Sequence, residues 1–187
     1  IVEILYKILK NKFKNVLLGG NIGKSLSENI IFEMNNNISD VHIVELSSFQ
    51  LENIFTFKPK VSCIINITED HMDRYDNIEE YVMAKLNITK NYNKHSFIVY
   101  NHDDYKLKSY YQKYAKAKPF SLIKNNFDVI VNKSDIIIKD YNDKISKKDI
   151  QLVGKHNLYN IIAAITIAKI FKVENKIILN ALREFKP

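Results

Sequence analysis

GGNIGKSLSE, residues 19–28, lies between the apolar run NVLL (15–18) and a stretch that reads as a helix. A glycine-rich turn ending in Lys-Ser, between strand and helix, is where a phosphate-cradling loop would sit. Such a loop follows G-x-x-x-x-G-K-[ST], so that backbone N–H groups wrap the phosphates and the lysine reaches the outer ones. Counting back from Gly23-Lys24-Ser25 puts Leu18 at the first glycine position, and Gly19 falls one residue late. The spacing therefore favours a strand-to-helix turn, with glycine supplying backbone angles that other residues avoid.

Outward from this turn, short apolar runs alternate with helical patterns. A helix over 1–12 leads to a strand near 15–18, and a helix over 24–35 leads to the strand HIVEL (42–46). KVSCIINI (60–67) is a further strand. A helix over 78–93 then leads to SFIVYN (96–101), and a helix over 104–115 follows, with Asp103 and Asp104 as cap-type residues at its start. This alternation predicts an α/β fold with a largely parallel sheet flanked by helices. KPFSL, FDVIVNK and DIIIKD are short strands with no helix between them, and predict a small antiparallel addition over about 117–153. Residues 156–187 read as two helices.

The bulk properties fit one sizeable domain. The chain has 187 residues, 46% hydrophobic and 26% charged, with a net charge of +7. The positive excess comes from lysines scattered along the chain, without an arginine cluster. A single cysteine, Cys63, lies inside VSCIINI, which excludes an internal disulfide framework and suits a reducing compartment. No apolar run approaches the roughly 20 residues that span a bilayer. The opening IVEILYKILKNK has no Met and no signal-peptide layout; Ile1, Ile4, Leu5, Ile8 and Leu9 form one face of a helix entered midway. The chain thus reads as a fragment of a longer protein.

In open α/β sheets, ligands gather outside the carboxyl ends of the strands. Glu45 lies there, at the end of HIV, and so does the loop TEDHMDRY (68–75). A carboxylate at a strand end can hold Mg²⁺ beside a nucleotide phosphate, or can cap a neighbouring element. His71 among Glu69, Asp70 and Asp73 suits a metal site, although acidic loops are commonly just solvated. Lys85 falls on one helical face with Ile78, Tyr81, Val82 and Thr89. It is either a snorkelling or solvent-reaching lysine, or a buried one whose neutral amine can take up CO₂ as a carbamate.

GGNIG (19–23), VELSSFQLE (44–52), NITEDHMDRY (66–75), AKL (84–86), NHDD (101–104) and GKHNLYNIIAA (154–164) occur in this order. Together they resemble the central domain of the Mur ligase family, of the P-loop NTPase-like type. ELSSFQLE with TEDHMDRY is similar to the members that add D-glutamate to UDP-N-acetylmuramoyl-L-alanine in peptidoglycan synthesis. The resemblance implies a bacterial, cytoplasmic, ATP-dependent ligase working through an acyl phosphate. It implies Glu45 as a ligand of one Mg²⁺, and His71 with carbamate-bearing Lys85 at a second; these three are also the expected catalytic residues. Asn21, Ser47 and Gln50 match positions on the muramoyl-substrate side, and Asn157 and Asn160 match the adenine side. Asn101 and the Asp103-Asp104 pair match structural positions. The family's phosphate loop would close just before Ile1, which makes Lys24-Ser25 coincidental. The N-terminal UDP-binding and C-terminal amino-acid-binding domains would lie outside these 187 residues, leaving the fragment inactive alone.

Two other readings compete. One is the central domain of a different Mur or folylpolyglutamate-type ligase, against which ELSSFQLE stands. The other is a basic nucleic-acid-binding module: KNYNKH (90–95) and KLKSYYQKYAKAK (106–118) supply lysine and tyrosine but no recognised RNA motif, so no nucleic-acid partner is expected. No membrane insertion is expected either.

Overall fold

A computed structural model describes residues 1–36, 38–70 and 72–186, without the side chain of Tyr141. The chain forms two compact units, Ile1–Glu45 with Phe120–Pro187, and Leu46–Pro119.

The first unit holds helices α1 (Val2–Leu9) and α2 (Leu26–Asn35), with strands β1 (Val16–Gly20) and β2 (Val41–Glu45). It also holds β6 (Val129–Val131), β7 (Asp135–Ile138), β8 (Asp143–Ser146), α6 (Lys155–Ile170) and α7 (Asn175–Arg183). β1 and β2 are parallel, with Val16 opposite Val41 and Gly20 opposite Glu45. The α1 stripe is as the spacing predicts: Ile4, Leu5, Ile8 and Leu9 are buried, and the helix packs on α6 and α7. Residues 161–168 of α6 are buried without a break, because IIAAITIA presents small or apolar side chains on every face.

The antiparallel addition is smaller than expected and differently made. β6, β7 and β8 form a meander over 129–146, with Ile136 opposite Ile145. Its third strand, DKIS, was not anticipated, since Asp143, Lys144 and Ser146 leave Ile145 as its one apolar residue. A polar network ties the meander to the helices. Asn175 donates to Asp140 at 3.0 Å and to Asp143 at 2.8 Å, and accepts from Lys169 at 2.7 Å.

The second unit holds α3 (Ser48–Glu52), β3 (Val61–Ile64), α4 (Ile78–Leu86), β4 (Phe97–Asn101), α5 (Tyr105–Tyr111) and β5 (Ala117–Phe120), at whose end the chain returns to the first unit. The sheet runs β3-β4-β5, with β3 parallel to β4. KPFSL therefore lends its strand to this sheet and not to the antiparallel addition. The helix expected over 78–93 stops at Leu86 and tightens into a 3-10 turn over Asn87–Thr89. Side chains compete with the helix there: Thr89 Oγ1 donates to the Leu86 carbonyl at 2.9 Å and Asn87 to that of Leu51 at 3.3 Å. The helix expected over 104–115 ends at Tyr111, and the turn after it lets Tyr114 close on Tyr92 at 5.0 Å. The core is unusually rich in tyrosine, with Tyr75, Tyr81, Tyr100 and Tyr111 buried around Ile98 and Leu107. Leu107 is fully buried, which removes about 2 kcal/mol worth of apolar surface from water.

Candidate functional site

At the carboxyl ends of β1 and β2 the glycine turn and Glu45 meet. Gly20 has φ +110°, and a Cβ there would lie 2.2 Å from the Glu45 carbonyl oxygen, so only glycine fits. The Gly20 N–H donates to the Lys24 carbonyl at 2.8 Å, and the Asn21 N–H donates to the Glu45 carbonyl at 2.7 Å. These amides are consumed inside the turn and cannot cradle a phosphate. Ser25 is equally occupied. Its hydroxyl accepts from Glu28 N at 3.2 Å and its own N–H donates to Glu28 Oε2 at 2.7 Å, a capping box that starts α2. That N–H is the first cause of the Glu28 carboxyl lying below the usual carboxylate range. GGNIGKS is thus a strand-to-helix turn, as its spacing indicates. The Asn21 side chain is exposed, and the half-buried Glu45 carboxylate is neither hydrogen-bonded nor ion-paired to any described residue.

Asn157 and Asn160 lie in the first two turns of α6, three residues apart and on one face. Asn157 donates to the Val153 carbonyl at 2.8 Å, and Asn160 reaches Asn157 Oδ1 at 3.5 Å.

The second unit carries the other expected residues. Ser47 and Gln50 form a second capping box at the start of α3. Gln50 N donates to Ser47 Oγ at 3.3 Å, and Ser47 N donates to Gln50 Oε1 at 2.9 Å. This S-x-x-Q pattern is readable in the sequence. Lys85 is half-buried, and its ammonium sits 4.9 Å from the Tyr81 ring centre. It is ion-paired to no described residue. His71 lies outside the described residues. Glu69, Asp70 and Asp73 are exposed, and among the described residues no three His, Cys, Asp or Glu side chains converge to hold a metal ion.

Sequence reasoning missed what anchors the acidic loop. Arg74 donates to Glu52 at 2.8 Å, Tyr75 donates to the same carboxylate at 2.5 Å, and the Arg74 guanidinium lies 4.7 Å from the Phe49 ring centre. Arg74 and Tyr75 close one motif and Glu52 closes the other, so the two motifs are bonded end to end. Asp104 fixes the loop's entrance by accepting from Ile67 N at 3.0 Å while capping α5. An open depression of about 520 Å³ lies against Glu52, Arg74, Tyr75, Glu80, Met83, Ala84 and Asn87. None of the residues expected to bind substrate or metal lines it.

Residues 1–168 match the family model of the Mur ligase middle domain. The chain belongs to the Mur ligase family. Among curated Mur ligases, the UDP-N-acetylmuramoylalanine–D-glutamate ligase of Clostridioides difficile (strain 630) is 42% identical over 98% of this chain and 41% of its own length. The enzyme of the same name from Bacteroides fragilis is 34% identical over 98% of this chain and 42% of its own. The chain thus spans about two fifths of the length of these relatives. The fold agrees with solved Mur ligases. MurF from Acinetobacter baumannii superposes with a TM-score of 0.76 at 15% identity, over 99% of this chain and 43% of that one. A MurF from Thermotoga maritima in complex with ADP gives 0.71 at 19% identity, over 99% and 45%. Among the described residues, no helix is long and apolar enough to cross a membrane.

Proposed function

We propose that this chain is most of the ATPase domain of a bacterial cytoplasmic ligase that joins D-glutamate to UDP-N-acetylmuramoyl-L-alanine. The observation that carries the reading is the Asn21 N–H bond to the Glu45 carbonyl at 2.7 Å. It brings the GGNIG and VELSSFQLE motifs together at paired strand ends, where an α/β sheet binds its ligands. The 42% identity to the C. difficile enzyme supports D-glutamate as the amino acid added.

In the reaction, the muramoyl-alanine carboxylate attacks the γ-phosphorus of ATP, and ADP departs. The D-glutamate amine then attacks the acyl-phosphate carbonyl, inorganic phosphate leaves, and the amine loses a proton. Glu45, His71 and a carbamate on Lys85 would hold Mg²⁺, which supplies charge screening between the reacting anions. Glu45 suits this as a free carboxylate oxygen donor. The Lys85 ammonium has no lone pair to offer, so it suits the role only after its amine has added CO₂ and released a proton.

The chain's own groups orient the substrates. In Gln50, Oε1 is committed to the α3 cap, which leaves the side-chain NH₂ as a fixed donor towards an anionic substrate. Ser47 and the exposed amide of Asn21 are the other groups that the family resemblance assigns to the muramoyl substrate. Asn160 keeps its oxygen free of described partners, which suits it to accept from the exocyclic amine of adenine, with Asn157 holding its orientation. The domains that take the UDP end and the amino acid would be supplied by the rest of the parent protein.

The test is phosphate release by the product of the complete coding sequence that contains these residues, with ATP and UDP-N-acetylmuramoyl-L-alanine. Turnover should require D-glutamate and fail with L-glutamate or diaminopimelate. Turnover driven by a different amino acid would overturn the assignment of D-glutamate, and no turnover with any amino acid would overturn the ligase reading.

A further inference from the structure

In the unit Leu46–Pro119, charge is sorted along the strand axis. β3 and β4 are parallel, and Val61 lies opposite Phe97, so their amino ends lie together. Every carboxylate of this unit belongs to the other end or to a segment leaving it. Glu69 to Glu80 follow β3, Asp103 and Asp104 follow β4, and Glu52 is tied to Arg74 in the first of these segments. The segments at the amino ends, residues 53–60, 87–96 and 112–118 (the last running into β5), contain no Asp or Glu. They carry seven lysines, at positions 58, 60, 90, 94, 113, 116 and 118, all exposed except the half-buried Lys116. Hydrogen bonds hold these loops as one surface. Asn91 donates to the Phe55 and Phe57 carbonyls at 2.8 and 2.9 Å, and Lys116 N donates to the Tyr92 hydroxyl at 3.2 Å.

The composition of this surface selects among polyanions. It has lysine and no arginine, so it offers hydrated point charges and no planar forks for single phosphates. Phe55 stands at the loop tip 80% exposed, with the Lys90 ammonium 5.9 Å from its ring centre. Tyr92, Tyr110 and Tyr114 are engaged with one another, at 5.0 Å edge-on and 6.2 Å stacked. Their rings therefore offer no run of free faces on which successive bases could stack. An apolar tip with Lys90 beside it, on a lysine-rich face, combines the two weak signals that together hold a protein on a charged bilayer.

We propose that this face docks on an anionic lipid surface, with Phe55 entering the headgroup region and the lysines matching the lipid charge. The test is flotation of the 187-residue chain with vesicles of equimolar phosphatidylcholine and phosphatidylglycerol. Binding is expected at low salt, with loss of about tenfold or more at high salt and none on phosphatidylcholine alone. The triple variant Lys58→Gln/Lys60→Gln/Lys94→Gln should bind about tenfold more weakly. Lys133→Gln/Lys144→Gln/Lys148→Gln, in the other unit, should bind as the parent does. Circular dichroism checks folding; should the first triple variant unfold, Phe55→Ser alone decides, with a several-fold loss expected. Absence of binding to anionic vesicles, or binding as strong as the parent's by Phe55→Ser and by the first triple variant, overturns the proposal. A lysine-dependent grip on a single-stranded oligonucleotide that exceeds the grip on vesicles overturns it in favour of nucleic acid.

Discussion

Arg74 and Glu52, 22 residues apart, meet through a guanidinium–carboxylate pair at 2.8 Å. Arg74 first, then the Tyr75 hydroxyl, holds the Glu52 carboxyl below the usual carboxylate range. A depressed folded pKa means that the stabilisation is present above the unfolded value of about 4.3 and is lost as pH falls through the folded one. Glu52→Gln should therefore flatten the acid limb of the stability curve, read by urea denaturation from about pH 6 down to about pH 3. An acid limb identical to that of the parent would show the pair to be energetically silent.

Two substitutions in the opening turn separate its structural roles from nucleotide binding. Gly20→Ala forces a left-handed backbone and a clash with the Glu45 carbonyl, and should cost about 3 kcal/mol in chemical denaturation. Ser25→Ala removes the α2 cap at about 1 kcal/mol. Calorimetry of the 187-residue chain with Mg-ATP should show no saturable heat, with Lys24→Ala indistinguishable. Tight binding lost in Lys24→Ala would make GGNIGKS a working phosphate loop.

The α/β alternation, the α1 stripe and the glycine turn were legible because each rests on local spacing. The shortfall of α4 was not, since it depends on the Asn87 bond to the Leu51 carbonyl, 36 residues away. Reassignment of KPFSL likewise depends on pairing beside β4, which no local pattern encodes. Of the candidate site, Glu45 was legible as a strand end and Ser47 and Gln50 as a motif. The tie between Glu52 and Arg74 was not, because a pair across a loop has no fixed period. Lys85 shows the limit of a helical stripe: spacing gives the face, while the end of a short helix decides the exposure.

The second unit should be labile to alkali. Burial pushes the Cys63 thiol up to about 12 and is also the first cause of raised values for Tyr75, Tyr100, Tyr111 and Tyr114. A raised folded pKa leaves stability intact below the unfolded value, about 8.5 for a thiol and about 10 for a phenol, and removes it as pH rises towards the folded one. Thermal midpoints should fall steadily above about pH 9. Iodoacetamide should label native Cys63 at pH 8 far more slowly than the denatured chain. Equal labelling rates would place the thiol in contact with solvent.

In the complete parent ligase, Glu45→Ala should lower turnover by roughly a hundredfold or more while changing KM little, because its carboxylate would act on charge that develops in the transition state. Lys85→Ala should abolish turnover, and added formate should restore part of it by replacing the carbamate oxygens. Full activity of Lys85→Ala would leave that side chain as a cation resting on the Tyr81 ring.

The sorted charges of Leu46–Pro119 make that unit an electric dipole, with its negative pole at the carboxyl ends of its strands, where the proposed ligase would bring a triphosphate. At low ionic strength this pole concentrates divalent cations and repels a bare nucleotide. Cation loading should then precede nucleotide arrival: in stopped-flow mixing with the parent ligase, preincubation with Mg²⁺ should speed association beyond what monovalent salt of equal ionic strength achieves. Equal acceleration by the two salts would reduce the effect to simple screening.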